Sequence, residues 1–357
     1  MSEPEAASAG TGPTPEVNGL RWHRSMRGRL VLWTSLSSAG LLLLVTLGTF
    51  GAVRAILLDN ARAELQALAT QTAAGVEARL DSVMIASRTL AESVRAVGVD
   101  EDRLKGLLRA TVTGDPEVAG AMLILEPGAL GPGSPAFHWY VRREGEGFYE
   151  QPMRYEGYDY DMTSWWATSA GLNLPWWSDP YANVATGQRW FATFNQPIQA
   201  PDGDFAGLVS VDLALDQLQA QLHEADRAGV HAILLSPNGT FAVHPDPELQ
   251  LRTTLGELVG RGRRDLEPVM EAVGSRELVR LERDDAPSGE RRHELVAPIW
   301  AHAWTLVMST SEEQALERLR EATRRLLGGG ALAALLSVLL VRLIARRMTT
   351  PLMEVAD

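Results

Sequence analysis

The sequence predicts an α+β fold, in which a long N-terminal helix precedes two tandem antiparallel-sheet units. One transmembrane helix is predicted before this region and another after it. Three observations predict it. Two long apolar runs, residues 30–53 and 326–344, lie towards the two ends of the 357-residue chain. A proline-free stretch with helical spacing follows the first run. Short β-like segments separated by turn residues then extend to the second run.

The first apolar run, residues 30–53, contains no charged residue. At ~1.5 Å per residue a helix of this length covers the ~30 Å hydrocarbon layer. The alternative is a cleaved signal peptide, whose apolar core of ~7–15 residues is shorter. The second run, residues 326–344, has one charge, Arg342, near its end, where it can reach the membrane surface. A buried core helix is the alternative there, but three consecutive glycines at 328–330 weaken helices in water.

Arginines flank the outer ends of both runs, at positions 21, 24, 27 and 29 before the first and at 346 and 347 after the second. The positive-inside rule therefore places a disordered tail, 1–29, and the C-terminal segment, 345–357, in the cytoplasm. Residues 54–325 would lie outside the inner (plasma) membrane, in the periplasm or extracellular space. The lipid bilayer is thus a predicted partner of the chain.

The formal net charge is -12, and the chain contains no cysteine. Between the two apolar runs the acidic residues outnumber the basic ones, 40 to 26. An acidic domain is a poor match for nucleic acid, which proteins bind through basic surfaces. The lack of cysteine excludes disulfides and thiolate chemistry.

Residues 54–97 predict one long helix, because apolar side chains from Leu65 to Leu90 recur at helical spacing. Residues 102–112 predict a shorter helix, so that 54–112 forms a helical stalk. Strands are predicted at 120–125, 137–142, 190–194 and 207–211, with an amphipathic helix at 213–228. A second unit begins with a hairpin, 231–235 and 240–244, and continues with strands 278–282, 292–299 and 304–309. A helix at 311–326 leads into the second run.

Flat aromatic rings are concentrated in one part of the chain. All six tyrosines of the chain fall between Trp139 and Trp190. Tyrosine and tryptophan combine apolar area with one polar group, and such rings line many small-ligand pockets. They also fill large cores, so this concentration by itself leaves both interpretations open.

The layout resembles the double Cache family of bacterial sensor domains, whose two units are PAS-like. The residues that carry the resemblance are the Trp165–Trp166 pair, the stretch 177–183 and the strand 207–212. The resemblance implies a larger distal unit, 113–228, which holds the ligand, and a smaller proximal unit, 229–310. It also implies a homodimer formed through the long helix. Residues 346–352 resemble the start of a HAMP linker, so an output domain would follow Asp357.

An amino-acid-binding subset of that family carries a recognisable motif, and this chain matches only part of it. Tyr158, Trp165 and Asp212 fit the motif. Thr163 replaces an arginine that holds the ligand carboxylate, Trp166 replaces a tyrosine, and Asn183 replaces an aspartate that holds the amine. Because a carboxylate needs a bidentate partner such as arginine, we expect an uncharged or cationic organic ligand instead.

The predicted function is that of a transmembrane sensor, a chemoreceptor or similar signalling protein, that binds a small molecule in the distal unit and signals through the second span. The alternative is a membrane-anchored binding or scaffold protein without signalling output. No catalytic motif is present, and neither cofactor nor metal is predicted, since the carboxylates near Tyr158 lack the spacing of a calcium loop. The candidate ligand-binding residues are Tyr158, Tyr160, Thr163, Trp165, Trp166, Trp177, Asp179, Tyr181, Asn183 and Asp212.

Overall fold

The computed structural model describes residues 26–98, 100–145, 147–183, 189–227, 230–299 and 302–347. They divide into two compact units, the described residues of 26–57 with 316–347, and those of 58–315. The predicted α+β class with a long N-terminal helix and antiparallel sheets is confirmed. The cytoplasmic tail up to residue 25 and the HAMP-like residues from 348 lie outside the described residues.

The first unit contains the N-terminal part of helix α1 (Met26–Val97) and most of helix α7 (Glu312–Arg347). One helix among the described residues, α1, is long and apolar enough to cross a membrane. Its leucines there are open to the surroundings, with Leu36 62%, Leu41 66% and Leu44 70% exposed. The second predicted span, 326–344, does not meet the same criterion over its described residues, and it stays a prediction.

Helix α1 also contributes to the core of the second unit. The buried side chains Leu65, Val76, Leu80, Leu90 and Val94 lie on one face of it, at the helical spacing that the sequence predicts. They belong to the main hydrophobic core of the unit, together with residues of both large sheets. The apolar face of α1 therefore packs against the core of its own chain. The homodimer through this helix stays a prediction.

The larger sheet has seven strands among the described residues, and the order of six of them is β3-β2-β1-β9-β8-β6, with β7 pairing to β8. Helix α2 (Glu101–Gly114) precedes this sheet and is capped by the Asp100 side chain, which accepts from the Arg103 amide. The strands are β1 (Val118–Leu125), β2 (Phe137–Glu144), β3 (Gly147–Pro152), β6 (Trp176–Trp177), β7 (Tyr181–Asn183), β8 (Arg189–Gln199) and β9 (Phe205–Ala214). Strands β3, β6 and β7 have no counterpart among the strands predicted from the sequence.

A segment that we call the aromatic cover lies between β3 and β6 in the sequence and packs on the larger sheet. It consists of strands β4 (Arg154–Tyr155) and β5 (Tyr158–Asp159), a 3-10 turn (Tyr160–Met162) and helix α3 (Ser164–Leu172). Helix α4 (Leu215–Arg227) follows β9 and leads to the second sheet.

The smaller sheet has five strands in the order β11-β10-β14-β13-β12. They are β10 (His231–Leu235), β11 (Phe241–Val243), β12 (Val279–Asp284), β13 (Arg291–Ile299) and β14 (Trp304–Ser311). The predicted hairpin of β10 and β11 is confirmed. Helices α5 (Leu255–Gly260) and α6 (Glu267–Ser275) pack against this sheet. Neither helix was predicted from the sequence, because six and nine residues are too few for a clear periodic signal.

Candidate functional site

Strands β8 and β9 place a row of polar side chains on one face of the larger sheet. Thr193 pairs in register with Asp212, and Asn195 pairs with Ser210. Side chains two residues apart share a face of a strand, so all four lie together. The Ser210 hydroxyl donates to Asn195 Oδ1 at 2.7 Å. All four residues are buried, which makes this face unusual for the centre of a sheet.

Asp212 is the centre of this polar group and is 4% exposed. Its Oδ1 accepts from the Thr193 hydroxyl at 2.6 Å and from the Tyr181 hydroxyl at 3.4 Å. Its Oδ2 accepts from the Tyr140 hydroxyl at 2.9 Å. Burial raises the pKa of Asp212, and the three hydroxyl donors oppose that rise. Among the described residues no lysine, arginine or histidine forms an ion pair with this carboxylate.

Gly120 on β1 makes this arrangement possible. A Cβ atom at that position would lie 2.5 Å from the Tyr140 hydroxyl and 3.0 Å from Asp212 Oδ2. Only a residue without a side chain lets the two groups meet across β1. Burial, followed by the nearby Asp212 charge, raises the pKa of Tyr140 well above its usual value, so the phenol stays protonated and donates.

The aromatic cover packs on the same face of the larger sheet. Tyr160 is 1% exposed, and its ring meets Trp166 edge-on at 4.8 Å. Trp166 in turn contacts Phe205 at 5.0 Å. Together with Tyr140 and the apolar side chains of the sheet, these rings form one cluster, which includes Met122, Ile124, Met153, Tyr158, Trp165 and Leu208. Tyr140 belongs both to this cluster and to the Asp212 hydrogen-bond group, so the aromatic cover and the buried carboxylate adjoin.

Several predicted residues thus come together in the larger unit. Tyr158 stacks on Tyr155 at 5.2 Å and joins the aromatic cluster with Trp165. Tyr181 leaves 37% of its surface exposed, but its hydroxyl is held between Thr193 and Asp212. Burial raises the pKa of Tyr181 well above its usual value.

Other predicted residues lie elsewhere. The Thr163 hydroxyl donates to the backbone carbonyl of Tyr160 at 2.6 Å, at the start of α3. Asp179 is exposed and makes no hydrogen bond to another described residue. The backbone of Asn183 pairs with Arg189, while its side chain lies outside the described residues.

Trp177 lies on the opposite face of the larger sheet, in the main core. Its indole packs on Phe194 at 5.2 Å and on Trp304 of the smaller sheet at 6.3 Å. The indole N–H donates to His302 Nδ1 at 3.1 Å, and His302 Nε2 lies 2.9 Å from Asp81 on α1. Trp177 therefore joins two sheets and a helix instead of facing the aromatic cover.

Acidic side chains of the cover are paired with an arginine. Arg154 binds Asp159 at 3.2 Å and also Asp161, and its guanidinium lies over the Tyr160 ring. No group of three metal-ligating side chains occurs among the described residues.

Sequence reasoning missed Tyr140, Thr193, Asn195 and Ser210. For Thr193, Asn195 and Ser210 the signal was an alternation of polar and apolar residues at the ends of the predicted strands 190–194 and 207–211, Thr-Phe-Asn at 193–195 and Ser-Val-Asp at 210–212. Two polar residues on one face of a strand in the middle of a sheet indicate a built polar site.

Comparison with known proteins agrees with this fold. Residues 104–220 match the family model "Methyl-accepting chemotaxis protein-like, first PDC sensor domain". The periplasmic sensory domain of the Campylobacter jejuni chemoreceptor Tlp1 superposes with a TM-score of 0.61 at 13% identity, covering 73% of this chain and 98% of its own. The extracellular domain of the proposed histidine kinase soHK1S-Z6 gives 0.59 at 20% identity, with 73% and 98% covered.

A third solved structure carries a ligand. The ligand-binding domain of the Pseudomonas fluorescens chemoreceptor CtaA, in complex with L-isoleucine, gives a TM-score of 0.52 at 18% identity and covers 74% of this chain and 98% of its own. At these identities the likeness concerns the fold. The predicted resemblance to sensor domains of membrane receptors is confirmed, and this chain shares the two-sheet fold of those domains.

Proposed function

We propose that this chain is the sensing part of a transmembrane receptor and that its larger unit binds a small organic cation beside Asp212. The observation that carries the proposal is the Asp212 carboxylate, which is buried, bonded by three hydroxyl groups and without an ion pair among the described residues. A buried carboxylate is costly unless a positive charge compensates it. An ammonium group of a ligand would supply that charge.

The surroundings favour a cation that carries an apolar group. Tyr158, Trp165 and Trp166 pack against the cluster that contains Tyr140, which binds Asp212, and aromatic faces attract cations as well as apolar groups. The position at which an arginine would hold an amino-acid carboxylate is Thr163, and its hydroxyl is bonded to the backbone. An amine without a carboxylate therefore suits the site better than an α-amino acid.

A matched pair of ligands tests this distinction. 2-Methylbutylamine and L-isoleucine share one side chain and differ in the carboxylate alone. We expect 2-methylbutylamine to raise the melting temperature of the full chain in detergent more than L-isoleucine does, since binding to the native state stabilises it. We expect Asp212→Asn to lose the response to the amine. A larger response to L-isoleucine, or an amine response that survives in Asp212→Asn, would contradict the proposal.

The signalling role requires a two-pass topology, with residues 54–325 outside and both termini in the cytoplasm. Exposed leucines in the apolar parts of α1 and α7 support it, because such surfaces need lipid around them. The chain has no native cysteine, so single cysteines can report each side. We expect a membrane-impermeant maleimide to label Ala136→Cys in intact cells and to leave Thr14→Cys and Val355→Cys unlabelled.

The second candidate is an anchored binding protein without signalling output. The coding sequence beyond Asp357 separates the two. A HAMP linker followed by a kinase, cyclase, phosphatase or chemotaxis module supports the receptor, and a stop codon there contradicts it.

A further inference from the structure

The smaller unit contains a cavity of about 260 Å³ between its five-stranded sheet and helices α5 and α6. At ~30 Å³ for each water-sized group, this space accommodates about nine non-hydrogen atoms. Strands β10, β11 and β14 and helix α5 contribute apolar side chains to one end of it, among them Ile233, Phe241, Leu258 and Val307. The other end is lined by charged side chains, among them Arg283, Arg292 and Glu294.

Two arginines at the charged end satisfy the nearby carboxylates. Arg283 forms a two-point contact with Glu294, at 3.0 Å from Nε and 2.9 Å from Nη2. Arg263 forms a two-point contact with Asp265, at 2.8 and 2.7 Å. Asp285 accepts from both arginines, at 3.1 and 3.2 Å. Two guanidinium groups thus hold Glu294, Asp265 and Asp285. Asp246, which also lines the cavity, accepts from the backbone amide of Glu248 instead.

Arg292 is the third guanidinium at this end, and it makes no hydrogen bond to a carboxylate. It lies directly opposite Arg283 in the strand pairing, and 18% of its side chain is exposed. Its shortest contacts to carboxylates are 4.0 Å, to Asp285, and 3.9 Å, to Glu290, both longer than a hydrogen bond. Its Nε is buried and has no hydrogen-bond partner within the described part of the chain. A buried donor without an acceptor is costly, and a ligand oxygen would relieve that cost.

We infer that the smaller unit holds a second binding site, for a small carboxylate with a short apolar tail, in which Arg292 binds the carboxylate. A guanidinium fork matches a carboxylate in shape and charge. The apolar end of the cavity accommodates the tail. This site is separate from Asp212 and does not depend on the function proposed for the larger unit.

Hexanoate is the probe, because its eight non-hydrogen atoms fit the cavity, and hexanamide is its uncharged match. We expect hexanoate at saturation to raise the melting temperature of the full chain in detergent by at least about 2 °C. Each methylene group removed, down to acetate, is expected to weaken binding about four-fold, as burial of a CH₂ predicts. Hexanamide is expected to give no shift.

Two neighbouring arginines provide the matched variants. Arg292→Gln removes a guanidinium that makes no hydrogen bond to a carboxylate, while Arg263 and Arg283 still bind Asp285, and it is expected to abolish the hexanoate shift. Arg291→Gln changes the adjacent residue, whose side chain is 59% exposed, and is expected to keep the shift. Asp212→Asn is also expected to keep it.

Each of these results would overturn the inference: an absent hexanoate shift, an equal shift with hexanamide, or a shift that persists in a folded Arg292→Gln protein. Loss of the hexanoate shift in Asp212→Asn would place the carboxylate in the larger unit and would equally overturn it. Unfolding curves of each variant without ligand establish that the protein is folded.

Discussion

The contact of Trp177 with His302 gives a sharp test of how the two sheets are joined. An indole N–H can only donate, so His302 Nδ1 must accept and Nε2 must carry the proton that points to Asp81. His302 is 4% exposed. Trp177→Phe keeps a ring against Phe194 but removes the donor, and His302 Nδ1 then has no partner.

The expected loss of stability combines two effects. A buried acceptor left without a partner costs ~1–3 kcal/mol. The smaller ring gives up apolar contact with Trp304, which at ~25 cal/mol per Å² adds about 1 kcal/mol. We therefore expect Trp177→Phe to lower the free energy of unfolding by about 2–4 kcal/mol.

Urea denaturation of the full chain in detergent, followed by circular dichroism, measures this loss. The control is Trp33→Phe, which changes a tryptophan that is 68% exposed in the apolar run of α1, and which we expect to shift the free energy by less than ~0.5 kcal/mol. A Trp177→Phe protein as stable as the control would refute the reasoning.

A double-mutant cycle separates the hydrogen bond from the packing. With His302→Ala in place, Trp177→Phe has no acceptor to leave unpaired, so its further cost is expected to fall to about 1 kcal/mol. Full additivity of the two substitutions would show that the indole and the imidazole do not interact energetically.

Two further outcomes follow from the larger sheet. Gly207→Ala is expected to prevent native pairing of β1 with β9, because its Cβ would overlap the backbone carbonyl of Ile124. Gly171→Ala in α3 has open space around its Cβ and is expected to raise the free energy of unfolding by about 0.5–1 kcal/mol. The melting temperatures of the two variants should therefore move in opposite directions. Asp212→Asn is expected to stabilise the ligand-free protein at neutral pH. The folded-state pKa of Asp212 is raised above the ordinary value of 3.8, so the native state binds more protons than the unfolded state and loses stability as pH rises above about 4. The advantage of the variant should shrink towards pH 4, and a difference in melting temperature that does not change with pH would contradict this.

The linear sequence was sufficient to predict most of the long elements and their order. Apolar runs, helical spacing from Leu65 to Leu90 and turn residues between strands are local signals, so helix α1, the hairpin of β10 and β11 and the two-sheet plan could be predicted. Strand β3 and the short helices α5 and α6 could not, since tertiary packing stabilises them more than their own periodicity does.

The candidate site could be predicted from the sequence only in part. The aromatic segment and Asp212 were found from residue type and resemblance, and the structure brings Tyr158, Tyr160, Trp165 and Trp166 together. Trp177 looks equivalent to them in the sequence, yet the strand pairing of β6 with β8 turns it to the other face. The face on which a side chain lies depends on strand register, which a local pattern fixes poorly in a short strand.

The sequence by itself determined that this protein has a long helix with an apolar N-terminal part, an acidic two-sheet domain and a segment rich in aromatic rings. Only the tertiary structure decided that, among the residues it describes, the Asp212 carboxylate is buried without an ion pair. It also decided that the Arg292 guanidinium has no hydrogen bond to a carboxylate. Both facts depend on which charged and hydrogen-bonding groups lie next to one another. These groups become neighbours only when strands from different parts of the sequence are paired.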